Sequence, residues 1–175
     1  MKALKIIGIT LLAIVIILGI VISIQPSHGH IEKSIVINAP ASKIFPEVSN
    51  FRNFTAWSPW SKMDPEVQTT FEGPDGAVGS KMSWNGPKTG TGSQWIEEIE
   101  ENKLVKNGMS FGENDIKYYS EFNLTPEGEG TRVTWTYDGP NGGVSGKAMW
   151  LFMGAMLNSQ YEQGLADLKQ IVESK

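Results

Sequence analysis

The stretch WLFMGAMLNSQYEQGLADLKQIV, Trp150 to Val172, decides the fold. Apolar side chains return along it every three or four residues, which is the spacing of one face of an α-helix. The members of this stripe are Trp150, Met153, Gly154, Leu157, Tyr161, Leu165, Leu168 and Val172. Because an apolar face must be covered, the pattern predicts a long helix over 145–174 that lies across a second apolar surface.

The first half of this helix, 148–157, carries no charge and is apolar on every side. Ten residues are too few to cross a bilayer. Phe152 and Met156 lie off the main stripe, so we expect them to contact a further apolar surface. That surface could be another protein wall, the headgroup region of a membrane or a bound ligand, and the sequence does not choose among them.

The surface that the helix covers is predicted to be a β-sheet. Between Val67 and Tyr137, short segments of alternating apolar and polar residues are separated by turns rich in Gly, Pro, Asn and Asp, which predicts at least five antiparallel strands. IEKSIVIN, at 31–38, predicts an earlier strand. Alternation places one set of side chains on the face that meets the helix: Phe71, Met82, Trp84, Trp95, Ile99, Met109, Phe111, Ile116, Tyr118, Phe122, Val133, Trp135 and Tyr137.

Two segments connect the first strand to the rest of the sheet. APASKIFPEVSNF, at 39–51, predicts a short helix with Pro40 at its start. FTAWSPWSKMDP, at 54–65, then reads as a loop, although it holds Trp57 and Trp60 on either side of a proline. Two large apolar side chains in such a segment indicate that it covers one end of the core or of a cavity.

In this order, the segments resemble the SRPBCC superfamily of START-like and polyketide cyclase/dehydrase-like domains. The resemblance covers roughly Ile31 to Val172 and is carried by INAPASKIFPEVSNF, WSPW with the following Asp64-Pro65, FEGPDGAVGSKMSW, GTRVTW and GLADLK. It implies an α+β helix-grip fold, a curved antiparallel sheet wrapped around a long C-terminal helix. It also implies an apolar cavity that holds lipids, hormones or polyketides, but it does not by itself imply a reaction.

The N-terminal segment from Ile6 to Ile24 has no charge and is long enough to cross a hydrocarbon core of about 30 Å. Lys2 and Lys5 precede it and the next basic side chain of Lys or Arg type is Lys33, so charge bias predicts a cytoplasmic N-terminus and an extracytoplasmic domain. A cleaved signal peptide is the alternative. The length of the segment and the poor cleavage site after it favour an uncleaved, single-pass anchor.

The predicted organisation is therefore a transmembrane anchor at 1–25, a linker at 26–30 and a ligand-binding domain at 31–175. The chain has no cysteine and a formal net charge of −4 without a basic stripe, which argues against thiolate chemistry and nucleic-acid binding. His28 and His30 fall in the predicted linker and are expected to be solvated rather than to bind a metal. We expect no metal site and no cofactor.

The predicted ligand-binding residues are mainly aromatic side chains of the helix-facing surface. The set is Trp57, Trp60, Trp84, Trp95, Phe111, Tyr118, Trp135, Phe152 and Met156. The alternative is that they fill a solid core. For Trp57 and Trp60 packing is the favoured role, because buried tryptophans usually pack.

Glu97 is the one weak catalytic candidate. In a regular strand Glu97 points to the same face as Trp95 and Ile99, so it enters the cavity if those side chains do. A buried carboxyl group has a raised pKa, which suits acid–base chemistry. The opposite parity, or a bulge, would keep it outside.

The predicted function is membrane-anchored binding of a hydrophobic small molecule or lipid, without covalent chemistry. One alternative is a cyclase/dehydratase-type enzyme that uses Glu97 or Tyr118. The other is a structural or partner-binding membrane protein whose cavity is filled by its own side chains.

Overall fold

A single sheet of seven antiparallel strands forms the body of the protein. The computed structural model describes residues 2–112 and 116–175, so Met1 of the predicted anchor lies outside the described residues. The strands are β1 (His28–Ile37), β2 (Gln68–Glu72), β3 (Lys81–Gly86), β4 (Gly90–Glu100), β5 (Leu104–Phe111), β6 (Tyr118–Glu127) and β7 (Gly130–Pro140). Their order across the sheet is β1-β7-β6-β5-β4-β3-β2. Strands β2 to β7 are a meander, and β1 pairs with the last of them.

The described residues form five helices besides the sheet: α1 (Lys2–Ser23), α2 (Ala41–Ser49), α3 (Phe51–Trp57), α4 (Pro59–Met63) and α5 (Gly143–Glu173). Helix α5 lies across one face of the sheet, which we call the inner face, and Tyr161 stacks there on Trp135. Gly164 permits this approach, because a Cβ atom at that position would lie 2.7 Å from the Trp135 ring. The predicted helix-grip architecture is confirmed.

The stretch predicted to be a loop around the two tryptophans is instead helical. Asn50 caps α3, its side chain accepting a hydrogen bond of 2.9 Å from the Arg52 backbone, and Pro59 opens α4. Helices of seven and five residues are too short to show an apolar period, so the Pro and Ser residues between them suggested a loop. The turn between the two helices brings Trp57 and Trp60 to the same end of the sheet.

Strand β1 begins earlier than the alternation predicts. His28, Gly29 and His30 pair with Pro140, Gly139 and Asp138 of β7, so the two histidines lie on a strand and not in a linker. Gly29 lies beneath Trp150 of α5 and fits there because it has no side chain; a Cβ atom would lie 2.6 Å from the indole ring. This fit is a packing constraint that strand alternation does not reveal.

The domain's core does not depend on α1. The buried apolar residues run from Ile31 to Val172, whereas none of the residues from Lys2 to Ser23 is buried. Helix α1 has 22 residues, and an 18-residue window within it has a mean hydropathy of 3.1, so the helix is long and apolar enough to cross a membrane. Residues 25–175 therefore hold a complete core of their own.

Asp64 connects the end of α4 to the turn between β3 and β4. It is fully buried, and its Oδ2 atom accepts hydrogen bonds of 2.9 Å from the backbone of Lys88, the backbone of Thr89 and the Thr89 hydroxyl. Burial acts to raise the pKa of Asp64, but these donors outweigh it and hold the pKa below its usual value. The carboxylate thus ties the helical segment to the sheet in its ionised form.

We expect Asp64→Asn to lower the free energy of unfolding at neutral pH, because an amide cannot replace a carboxylate that accepts three hydrogen bonds. A folded-state pKa below the unfolded one means that the stabilisation is present above about pH 4 and is lost as the pH falls through the folded-state pKa. Urea unfolding between acidic and neutral pH measures this. The variant should show a weaker loss of stability in acid than the wild type, and Glu66→Gln, which changes a nearby exposed carboxylate, should behave as the wild type.

Candidate functional site

The inner face carries aromatic side chains in two groups. The deep cluster comprises Phe54, Trp57, Trp60, Phe122, Trp135 and Tyr161, which contact one another edge to face or stacked. The rim cluster comprises Trp84, Phe111, Tyr118, Tyr137 and Trp150, which form one continuous row of ring contacts. The rim cluster lies at the end of the sheet where β1 and α5 begin, which we call the proximal end.

The deep cluster is tightly closed. Trp57 is fully buried, lies 5.6 Å from Trp135 between ring centroids, and donates a hydrogen bond of 3.1 Å from Nε1 to the Glu47 carbonyl. Trp135 donates from its Nε1 to the Ser120 hydroxyl at 2.8 Å. Trp60 packs against the edge of the cluster and is partly exposed. These contacts place Trp57 and Trp135 in the closely packed part of the inner face.

The rim cluster is more open. Trp84 and Tyr118 are half-buried and Phe111 is exposed. The Phe111 ring lies 5.7 Å from that of Trp84 and 5.2 Å from that of Tyr118. The sheet therefore presents a partly open aromatic surface at its proximal end.

Asn107 lies between the two clusters on the inner face. Its cross-strand neighbours are Ile96 and Ser120. Its side chain is 0% exposed, and in the described part of the chain neither its Oδ1 nor its Nδ2 atom has a hydrogen-bond partner. Because buried polar groups are nearly always paired, this amide is the unusual feature of the inner face.

Tyr137 of the inner face and Tyr161, which stacks on that face, are neutral hydrogen-bonding groups. Burial raises the pKa of Tyr161 and of Tyr137 far above the usual value for a phenol. Both hydroxyl groups therefore keep their protons at physiological pH. They suit hydrogen bonding rather than proton transfer, and the Tyr161 hydroxyl already forms a hydrogen bond with Ser120.

The prediction that Trp95 faces the helix is wrong. A bulge between Ile96 and Glu98 shifts the register of β4, so that Ile96 and Ile99 both face inward while Trp95 and Glu97 lie on the outer face. Trp95 pairs with Gly108 of β5, and a Cβ atom at Gly108 would lie 2.6 Å from the Trp95 ring. A bulge adds one residue without changing the apolar character of a segment, so alternation alone misassigned this side chain.

Glu97 is held in an ion pair and not in a cavity. Its Oε1 atom accepts a hydrogen bond of 2.8 Å from Trp95 Nε1 and contacts Lys117 Nζ. Burial acts to raise the pKa of Glu97, but the bonds from Lys117 and Trp95 outweigh it and hold the pKa below its usual value. The same bond raises the pKa of Lys117. Glu97 is therefore an ionised outer-face residue, and the enzyme hypothesis loses this acid–base candidate.

The prediction that Phe152 and Met156 line the ligand cavity is also wrong. Phe152 precedes Tyr161 by nine residues, so it points about 180° away from the sheet around the helix axis. It is 80% exposed, and Met156 is 38% exposed. Among the alternatives for these side chains, a wall formed by residues 2–112 and 116–175 is excluded for Phe152.

His28 and His30 flank one carboxylate on the outer face. The Oδ1 atom of Asp138 lies 3.2 Å from His28 Nε2 and 2.9 Å from His30 Nδ1. Within residues 2–112 and 116–175, no group of three or more His, Cys, Asp or Glu side chains has an arrangement that could hold a metal ion. The two histidines and Asp138 lie where β1 pairs with β7.

A family model described as "Polyketide cyclase / dehydrase and lipid transport" matches residues 28–173. The chain belongs to this family. The matched range begins with the first residue of β1 and ends with the last residue of α5, so the family domain is the whole grip with both aromatic clusters. Helix α1 lies outside the matched range. No curated protein matches the chain.

Solved structures with this family's fold come from several bacteria. Protein MLL2253 from Mesorhizobium loti is 16% identical with a TM-score of 0.64, and the match covers 84% of this chain and 98% of that chain. The Aha1 dimer from Colwellia psychrerythraea is 20% identical with a TM-score of 0.62, covering 83% and 96%. Protein CV1439 from Chromobacterium violaceum is 16% identical with a TM-score of 0.59, covering 82% and 96%. At these identities the likeness shows the fold alone.

Asn107 is the site residue that sequence reasoning missed. It precedes Gly108, and the pair Asn-Gly is a strong turn signal. Its neighbours Val105 and Met109 are buried apolar residues of the same strand and face, so the alternation of β5 held the information.

The two clusters predict different costs for removing a tryptophan. Trp57→Ala should lower the free energy of unfolding by about 3–5 kcal/mol, because it leaves a cavity in a closed core and an unpaired Glu47 carbonyl. Trp84→Ala should cost clearly less, since the rim is partly open. Urea unfolding of both variants measures the difference. Equal costs would mean that the proximal end is as solidly packed as the deep cluster.

Proposed function

We propose that this chain is a membrane-anchored domain that binds a hydrophobic small molecule or lipid between the sheet and α5, without covalent chemistry of its own. The unpartnered amide of Asn107 is the observation that carries the proposal. The lipid-transport part of the family description agrees with it. A cavity that exists for a ligand gives a reason for a polar group that a purely structural core would not keep.

The energetic argument starts from the cost of the buried amide. A buried polar group without a partner costs about 1–3 kcal/mol, and an apolar side chain of similar shape would remove that cost. Asn107 lies between the rim cluster and the deep cluster. A molecule that enters at the proximal end would therefore pass the rim cluster first and place its inner end beside Asn107. We therefore expect a ligand with a mainly apolar body and one hydrogen-bonding group.

The ligand's apolar body would contact the rim residues Trp84, Phe111 and Tyr118, with Trp60 at the margin. Trp57 and Trp135 would form the closed end of the site. Sites for small molecules are usually apolar with a few polar groups that fix orientation, and this arrangement has that character.

The decisive measurement is native mass spectrometry of residues 25–175, purified without detergent, followed by organic extraction. We expect a stoichiometric adduct that bears a hydrogen-bonding group. Asn107→Leu should lose most of this adduct, yet its ligand-free form should unfold at an equal or higher urea concentration, because the unpaired amide is gone.

Val105→Ala is the matched control, two residues away on the same face of β5. It removes apolar core volume, so it should lower stability and keep the adduct. A clean ligand-free mass, together with no binding from a panel of lipids and aromatic compounds, would favour a core filled by the protein's own side chains. Full occupancy in Asn107→Leu would remove Asn107 from the site.

For α1 we propose a single-pass anchor with a cytoplasmic N-terminus. The helix has 22 residues, none of them buried, and Lys2 and Lys5 lie at its start. We expect the chain isolated from cell membranes to resist alkaline extraction and to retain residues 1–25 by intact mass. A mass that begins after residue 25 would identify a cleaved signal sequence instead.

A further inference from the structure

The first half of α5 bears an exposed apolar stripe on the side away from the sheet. Met149 is 60% exposed, Phe152 is 80% exposed and Met156 is 38% exposed. Ala148 and Ala155 lie on the same side, at one-turn and two-turn spacing from these residues. No residue of the described chain covers Phe152, and clustered exposed apolar side chains mark interaction sites more often than scattered ones do.

This stripe begins beside the end of the proposed anchor. Lys147 Nζ donates a hydrogen bond of 3.0 Å to the carbonyl of Ser23, the last residue of α1. An open groove of about 360 Å³ separates the two helices there, lined by Gly19, Ile22, Ser23, Gly143, Val144 and Lys147. At about 1.5 Å per residue, Met156 is only about 14 Å along the helix axis from Lys147.

The polarity of α5 changes along the helix axis on this outer side. No charged residue occurs from 148 to 161. Glu162 and Gln163 then begin an exposed polar surface on the outer side of the second half. A globular partner would favour an apolar face that continues along the helix. A change from apolar to polar residues partway along the α5 axis instead suits a planar surface, such as a membrane, whose edge lies near Asn158.

We propose that the first half of α5 lies in the interfacial layer of the same bilayer that holds α1, with Met149, Phe152 and Met156 among the acyl chains. This inference rests on the proposed function, in which α1 spans the membrane. Amphipathic helices bind bilayers in this way through buried apolar area and basic side chains. Lys147, the only charged residue between 139 and 161, lies at the level where α1 leaves the membrane and suits contact with lipid phosphates.

The placement has a consequence for ligand entry. The rim cluster lies at the proximal end, and its member Trp150 belongs to the same segment of α5 as the stripe. A bilayer that covers the outer side of this segment therefore lies beside the opening of the grip. A lipid could then pass between the membrane and the inner face without crossing bulk water.

The absence of cysteine in the sequence allows a clean test with single labels. Met149→Cys and, as control, Gln163→Cys are made in the full-length chain and labelled with an environment-sensitive fluorophore. Gln163 is exposed on nearly the same side of α5 as Phe152, three turns further along. Each labelled protein is reconstituted in vesicles of phosphatidylcholine and phosphatidylglycerol, and quenching by nitroxide-labelled lipid is compared with quenching by iodide.

We expect the label at 149 to be quenched severalfold more by nitroxide lipid than the label at 163, and the label at 163 to be quenched more by iodide. Adding Phe152→Ser and Met156→Ser should shift the label at 149 toward iodide quenching. Quenching at 149 by iodide alone would overturn the proposal, and so would shielding from both quenchers, which would indicate a protein partner. Resistance of the reconstituted chain to alkaline extraction is measured first, so that a failure of the anchor is distinguished from a failure of the docking surface.

Discussion

The rings of Trp135 and Tyr161 stack with their centroids 4.0 Å apart. This contact sets the distance between the sheet and α5. Gly164 allows the backbone of α5 to approach this closely, since any side chain there would meet the Trp135 ring. Phe54, Trp57 and Phe122 then pack around Trp135. This contact closes the part of the grip beneath the second half of α5, so the proposed ligand site would open at the proximal end.

Hydrogen bonding also distinguishes the closed deep cluster from the boundary next to the rim cluster. The indole N–H groups of Trp57, Trp95 and Trp135 each have an acceptor nearby, and Thr131 donates from its buried hydroxyl to the Ala39 carbonyl. The fold therefore satisfies polar groups even where aromatic packing is dense. Among the described residues, one side-chain atom each of Asp64 and Asn141 also lacks a hydrogen-bond partner, but Asn107 is exceptional because both of its side-chain polar atoms lack one, and it lies at the boundary between the closed and the open part. An exception at that place is easier to explain by a ligand than by imperfect packing.

The sequence predicted the features that depend on long repeating patterns. The stripe of α5 and the inward parity of Met82, Met109 and Trp135 are examples, because many residues report the same period. The errors occur where one residue changes the pattern. The bulge at Ile96–Glu98 reversed the face of Trp95, and the short helices α3 and α4 were read as loop. The exposure of Phe152 could not be predicted, since an apolar sequence shows that a side chain needs cover but not what covers it.

The two halves of α5 thus have different physical tasks. The second half buries Leu165, Leu168 and Val172 in the core, and it carries the stacking contact that holds the grip together. The first half contributes less to that core and keeps apolar side chains exposed. Movement of the first half away from the rim would leave the deep cluster intact, so access to the site need not compete with the stability of the fold. If α1 spans a bilayer as proposed, the half of α5 that is less deeply buried is also the half that lies beside that bilayer, because Lys147 contacts Ser23 at the end of α1.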